Sequence, residues 1–147
     1  AMLLLSVLGE GTFLNLLAFL ERHAPDPVTA AVTRLARQDE ARHVAFAMSH
    51  LEYEQAVDPS LQGALRRAIE RRHEVLLTTG GLSTEVYDAL IVLAAGAWRP
   101  DAIAAGFRAV TALMAEMADG RERRLARLGF PTSDAHALAQ LHTRNFM

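Results

Sequence analysis

Apolar positions recur along the chain at spacings of three and four, and no run alternates with period two, so the pattern predicts helices and no strands. Met2 to Leu20 is almost wholly apolar, interrupted by Ser6, Gly9, Gly11, Thr12 and Asn15 and carrying one charge, Glu10. It reads as a helix to about Arg22, buried on nearly all sides. Ala24-Pro25-Asp26-Pro27 breaks it, because each proline fixes the backbone and disfavours helix just before itself. A second helix is expected from about Val28 to Ala56. Its core-facing stripe reads as Val28, Val32, Leu35, Ala36, Ala47 and Leu51, with Glu40 and His43 filling the middle.

Asp58-Pro59 is a start signal for a third helix, about Ser60 to Thr78, which Gly80-Gly81 should stop. A fourth begins near Ser83 and carries Val86, Leu90, Ile91, Leu93 and Ala94. Arg99-Pro100-Asp101 separates it from a fifth, about Asp101 to Leu128, closed by Gly129 with Pro131 beyond. A short sixth helix is expected from Thr132 or Ser133 to near His142. No linker is long enough to divide the chain, so residues 1–147 read as one all-α domain.

Composition narrows the chemistry. Apolar residues make up 51% of 147 residues, which calls for extensive helix packing or a large interface. The net charge of -2 gives no reason to expect nucleic acid or an anionic membrane as partner. There is no cysteine, so any metal would have oxygen and nitrogen ligands. The first segment has the length of a membrane span, but its polar interruptions and the lack of a basic start argue for a core helix. A cytoplasmic protein is the expectation. The first helix also begins without a cap, as expected of a chain that continues upstream or of a helix covered by a partner.

Glu40 and His43 form an E-x-x-H pair, and side chains three apart on a helix point the same way and can hold one metal ion. The two helices should form an antiparallel hairpin hinged at Pro25. Glu10 lies fifteen residues before the hinge and Glu40 fifteen after it, so both stand about 22 Å from the turn, level with each other. Buried carboxylates need compensation, and a metal ion is the simplest. The plainer alternative is a satisfied ion pair or hydrogen-bonded network.

Glu10, followed about thirty residues later by Asp39-Glu40-Ala41-Arg42-His43, resembles one half of a ferritin-like di-iron carboxylate site. The resemblance covers Glu10 to about Leu51, under a third of the chain. It implies a ferritin-like bundle, here a helix hairpin with about four further helices. It implies Glu10, Glu40 and His43 as ligands of iron, with manganese the other hard metal such a set suits. Asp39 would hydrogen-bond a ligand histidine from behind. The activity implied is that of a di-iron oxidase or oxygenase using O2 or peroxide, on a substrate the sequence does not reveal.

That superfamily carries two such halves, and this chain shows one. The other half would come from an upstream segment of a longer protein, from a second copy about a two-fold axis, or from within the chain. The internal candidates are Glu70 and His73, a second E-x-x-H, with Glu85 and Glu116 as spare carboxylates. They fit less well: Glu70 lies in an Arg-rich run, about 7 Å off the level of Glu40. The upstream segment and the second copy, a homodimer, remain open. His50, one heptad beyond His43, is a pocket or core histidine about 10 Å further along the helix. His23 reads as a cation at a helix end, and Arg121, Arg123, Arg124 and Arg127 as a solvated face. A metal-free helical dimerisation module is the alternative from a different class.

Overall fold

A computed structural model describes residues 1–79 and 83–141. The expected stop at Gly80-Gly81, the end of the last helix near His142 and the terminal Asn145-Phe146-Met147 lie outside the described residues. Six helices follow one another, and no strand occurs among the described residues. Helix α1 (Leu3–Arg22) is wound as a π-helix over Leu3–Glu10 and as an α-helix over Gly11–Arg22. Then come α2 (Pro27–Val57), α3 (Leu61–Leu77), α4 (Thr84–Ala95), α5 (Pro100–Arg127) and α6 (Thr132–Ala139).

The turn at Pro25 does what its prolines dictate. Asp26 adopts an extended backbone and caps α2, accepting from the amides of Val28 at 2.8 Å and Thr29 at 2.9 Å, while Pro27 takes N1. The Thr29 hydroxyl donates to the same carboxylate at 2.6 Å, and these bonds hold the Asp26 pKa below its ordinary value. The cap therefore stabilises the fold above the unfolded pKa and is lost as pH falls through the lowered folded value. Asp26→Ala should lower the thermal midpoint at neutral pH, and the difference from wild type should shrink in acid. Melts followed by circular dichroism across that range check this.

At the far end, Gly129 takes φ +77°, with its amide bonded to the Ala126 carbonyl and the Phe130 amide to that of Leu125. That is a Schellman motif, and Phe130 and Leu125 are both buried in the core beside it. Gly96, at φ +62°, ends α4 in the same left-handed conformation.

Two apolar clusters hold the helices together. One joins Leu3, Val7 and Leu8 of α1 to Val44, Ala47, Met48 and Leu51 of α2, to Leu65 and Ile69 of α3, and to Leu125 and the residues of α6. The second lies at the other end of α1, where Phe19 meets Leu90 of α4 and Val110, Leu113 and Met117 of α5. Glu21 anchors the hairpin, accepting two bonds from Arg37 at 3.0 and 2.8 Å. Arg127 ties α5 to α2 through Glu52 at 2.6 and 3.1 Å.

By length and composition, Leu3–Arg22 is the one single helix among the described residues that is apolar enough to cross a membrane; 33% of its most apolar window is buried. Its burial is one-sided: Val7 and Thr12 are fully enclosed, whereas Leu5 and Phe13 are exposed.

Two expectations are corrected. The core-facing stripe on α2 holds only for its second half: Ala47 and Leu51 are buried, Ala36 is half-buried, and Val28, Val32 and Leu35 are exposed. The helix carries two apolar faces, and α1 covers one of them. The arginine run is not uniformly solvated either. Arg121 is 4% exposed and donates from Nε to the Ala139 carbonyl at 2.9 Å, fastening α6 to α5. The Arg124 guanidinium packs between Gly11 of α1 and Gly120 of α5. Burial, with the charges of Arg121 and Arg123 nearby, lowers its pKa to about 10.

Candidate metal centre

Glu10 ends the π-wound part of α1. A π-turn is rare, holds one more residue per turn than an α-turn and is found mostly at functional positions. Here the change of winding falls between Glu10 and Gly11, so it sets the direction in which Glu10 leaves the helix. Gly11 permits a close approach at the same place. A Cβ there would stand 2.5 Å from Arg124 Nε, so α5 can lie against α1 one residue beyond the carboxylate.

The antiparallel packing of α1 on α2 brings the level residues together. One ligand atom each from Glu10, Glu40 and His43 lie within 4.8 Å of one another. His43 Nδ1 stands 3.3 Å from Glu40 Oε2. Donor atoms on one first-row metal ion lie about 3 Å apart, so small side-chain rotations would close the set on an ion. Glu10 Oε2 is buried and has no hydrogen-bond partner, the state expected of a carboxylate oxygen shaped for a cation. Two carboxylates and one imidazole are the donors that Fe and Mn prefer.

The cluster is less enclosed than the sequence led one to expect. The Glu40 side chain is 27% exposed and that of His43 63%. On α2 the buried residues Val44, Ala47, Met48 and Leu51 face α1 and α3, while His43 stands at the border with the open face. The three ligands thus lie in the mouth of the α1–α2 groove and leave an ion open on the side away from α1.

Asp39 does not hold His43. It pairs with Arg42 on the exposed side of α2, and the nearest carboxylate to the His43 ring is Glu40. Asp39 stands about 100° round α2 from Glu40, on the open face of the helix. His50 is exposed, stacks on Phe46 with centroids 6.3 Å apart, and lies outside the cluster. Glu70 pairs with Arg66 at 3.5 Å and joins no metal-binding group among the described residues. His73 is half-buried with an unpartnered Nδ1 beside a cavity of about 20 Å³ between α1, α3, α5 and α6, room for about one water. It too is separate from Glu10. Glu85 lies in the first turn of α4, where its bond with Ser83 lowers its pKa, and Glu116 is exposed. His23 is no free cation: it packs on the Phe19 ring at 4.5 Å, and burial, then the charge of Arg22, lower its pKa.

The π-winding that ends at Glu10 is the feature beside the cluster that sequence reading missed. No protein-family model matches the chain, and no curated protein or solved structure matches it significantly.

Proposed function

We propose that the protein is a ferritin-like metal-binding protein in which Glu10, Glu40 and His43 hold an iron or manganese ion, forming half of a di-metal site. The observation that carries this is the convergence of those three side chains from two antiparallel helices, with one buried Glu10 oxygen lacking any other partner. Such an ion supplies redox chemistry with O2 or peroxide when bound, which makes an oxidase or oxygenase the reading. The chain's own contribution is positional. Glu10 brings a carboxylate from α1, while Glu40 and His43 present carboxylate and imidazole along one side of α2. The Leu- and Val-rich packing around α1 keeps water from the Glu10 side, and the opposite side stays open to a reactant or to further ligands.

On this reading α1 is a core helix of a cytoplasmic protein. A carboxylate in mid-helix that serves a metal site is costly in lipid and useful in a bundle. The exposed apolar face of α2 favours a second reading, a metal-free helical association module.

Metal analysis separates the two. Protein purified after growth with iron, or loaded anaerobically with Fe(II), is expected to hold about one Fe or Mn per chain, as three protein ligands require. Glu40→Ala should hold almost none. A wild type that takes up no metal, or a mutant that keeps a stoichiometric amount, defeats the proposal.

A further inference from the structure

One face of α2 is exposed from end to end. Val28, Val32, Leu35, Phe46, Tyr53 and Val57 are each between 58% and 72% exposed. At about 100° per residue they lie within an arc of about 80°, together with Asp39, Arg42 and His50. This is an apolar seam about 45 Å long, broken near its middle by the Asp39–Arg42 ion pair and further on by His50. An exposed apolar seam of that length marks an interaction surface.

The two ends of the seam are symmetric in sequence. Measured from the point between Arg42 and His43, Val28 is as far out as Val57 and Val32 as far as Tyr53. Leu35 matches His50, and Asp39 matches Phe46. The outer pairs are apolar on both sides, so the ends of the seam are complementary to an antiparallel copy, as a two-fold axis requires, and the mixed pairs lie nearer its middle. The charges agree. In that register Asp39 is level with the partner's Phe46 and about 6 Å in height from its Arg42, within reach of that long side chain on each side of the axis.

From this we infer that the occupant of the seam is a second copy of this chain, packed α2 to α2 about a two-fold axis beside His43. The inference goes beyond the metal reading above and stands on the seam alone. His43 stands about 1 Å and Glu40 about 4 Å in height from that axis, and Glu10 is level with Glu40. Pairing therefore brings the two His43 residues to one level at the rim of the interface, while Glu40, about 120° round α2 from the seam, and Glu10 stay on the α1 side of each copy.

Sedimentation of the metal-free wild type should give a dimer. Phe46→Glu, which puts a charge in the seam and touches no core residue, should raise the dissociation constant by about thirtyfold or more. Register is read by cross-linking, since the chain has no native cysteine. Val32→Cys mixed with Tyr53→Cys should form a disulfide-linked pair on oxidation, and neither variant alone should. A wild-type monomer at the concentrations of the metal titration overturns the inference, as does a dimer untouched by Phe46→Glu. So does a Val32→Cys chain that links to itself, the sign of parallel packing. The mass needs no metal, so the two readings fail separately. A dimer that binds no ion defeats the function alone, and a monomer that binds its ion tightly defeats the pairing alone.

Discussion

Glu10→Ala is expected to abolish stabilisation by metal while leaving the metal-free protein as stable as wild type, or slightly more so. The reason is the environment of the carboxylate. Its Oε2 is buried without a hydrogen-bond partner, so in the absence of metal it has lost hydration and gained nothing there. Truncating a poorly paired buried carboxylate removes that desolvation penalty, and substitutions of this kind are often neutral or stabilising. With metal the balance reverses. A ligand that binds only the folded state raises its stability by mass action, and one of three protein donors is gone. Affinity for Fe(II) or Mn(II) should fall on the order of 100-fold or more, beyond what loss of a supporting group brings. Thermal melts with and without Mn(II) measure both effects. If Glu10 is simply one member of a structural network with Glu40 and His43, the metal-free mutant melts well below wild type, and metal makes no difference to either.

Gly106→Ala should be among the most destabilising single-methyl changes in the protein. A Cβ at Gly106 would stand 2.2 Å from the carbonyl oxygen of Ile91 and 3.0 Å from the amide nitrogen of Ala95. Both are backbone atoms of α4, so no rotamer change relieves the contact, and α4 must move off α5. That shift opens the cluster in which Leu90 meets Val110 and Leu113. Alanine gains about 1 kcal/mol in helix propensity, and the forced separation outweighs it. A net loss of about 2 to 3 kcal/mol, or a midpoint roughly 6 to 10 °C lower, is the expected result. Gly63→Ala is the control. It is an exposed glycine on α3 whose Cβ would meet only the flexible end of Arg67, at 3.4 Å, so propensity should win and the midpoint should rise. Equal effects at the two glycines would show that close packing of α4 on α5 has been misjudged.

Much of the fold was legible because local signals dictated it. Two prolines around Asp26 fix the hairpin turn, and counting residues from Pro25 put Glu10 level with Glu40, where the structure brings them together. Gly129 announced the end of α5 and provides the left-handed residue of its closing turn. What was not legible concerned which surface covers which. Val28, Val32 and Leu35 have helical spacing, and so do Val44, Ala47, Met48 and Leu51. Periodicity reveals two apolar faces on α2 but cannot say that α1 and α3 cover the second and leave the first open. Arg121 and Arg124 read as surface charges because composition says nothing of a guanidinium whose carbonyl partner, on Ala139, comes from another helix. The π-winding before Glu10 has no periodic signature over eight residues. Resemblance to a family gave Asp39 as a hydrogen-bond partner of a ligand histidine, and in this chain it pairs with Arg42.

The identity of the ligands is tested most directly by pulsed electron paramagnetic resonance on Mn(II)-loaded protein. The wild type should show nitrogen hyperfine coupling from one directly bonded imidazole on the bound Mn(II), and His43→Ala should lose it. A wild-type spectrum without nitrogen coupling, or the same coupling in His43→Ala, would contradict a metal centre built from Glu10, Glu40 and His43.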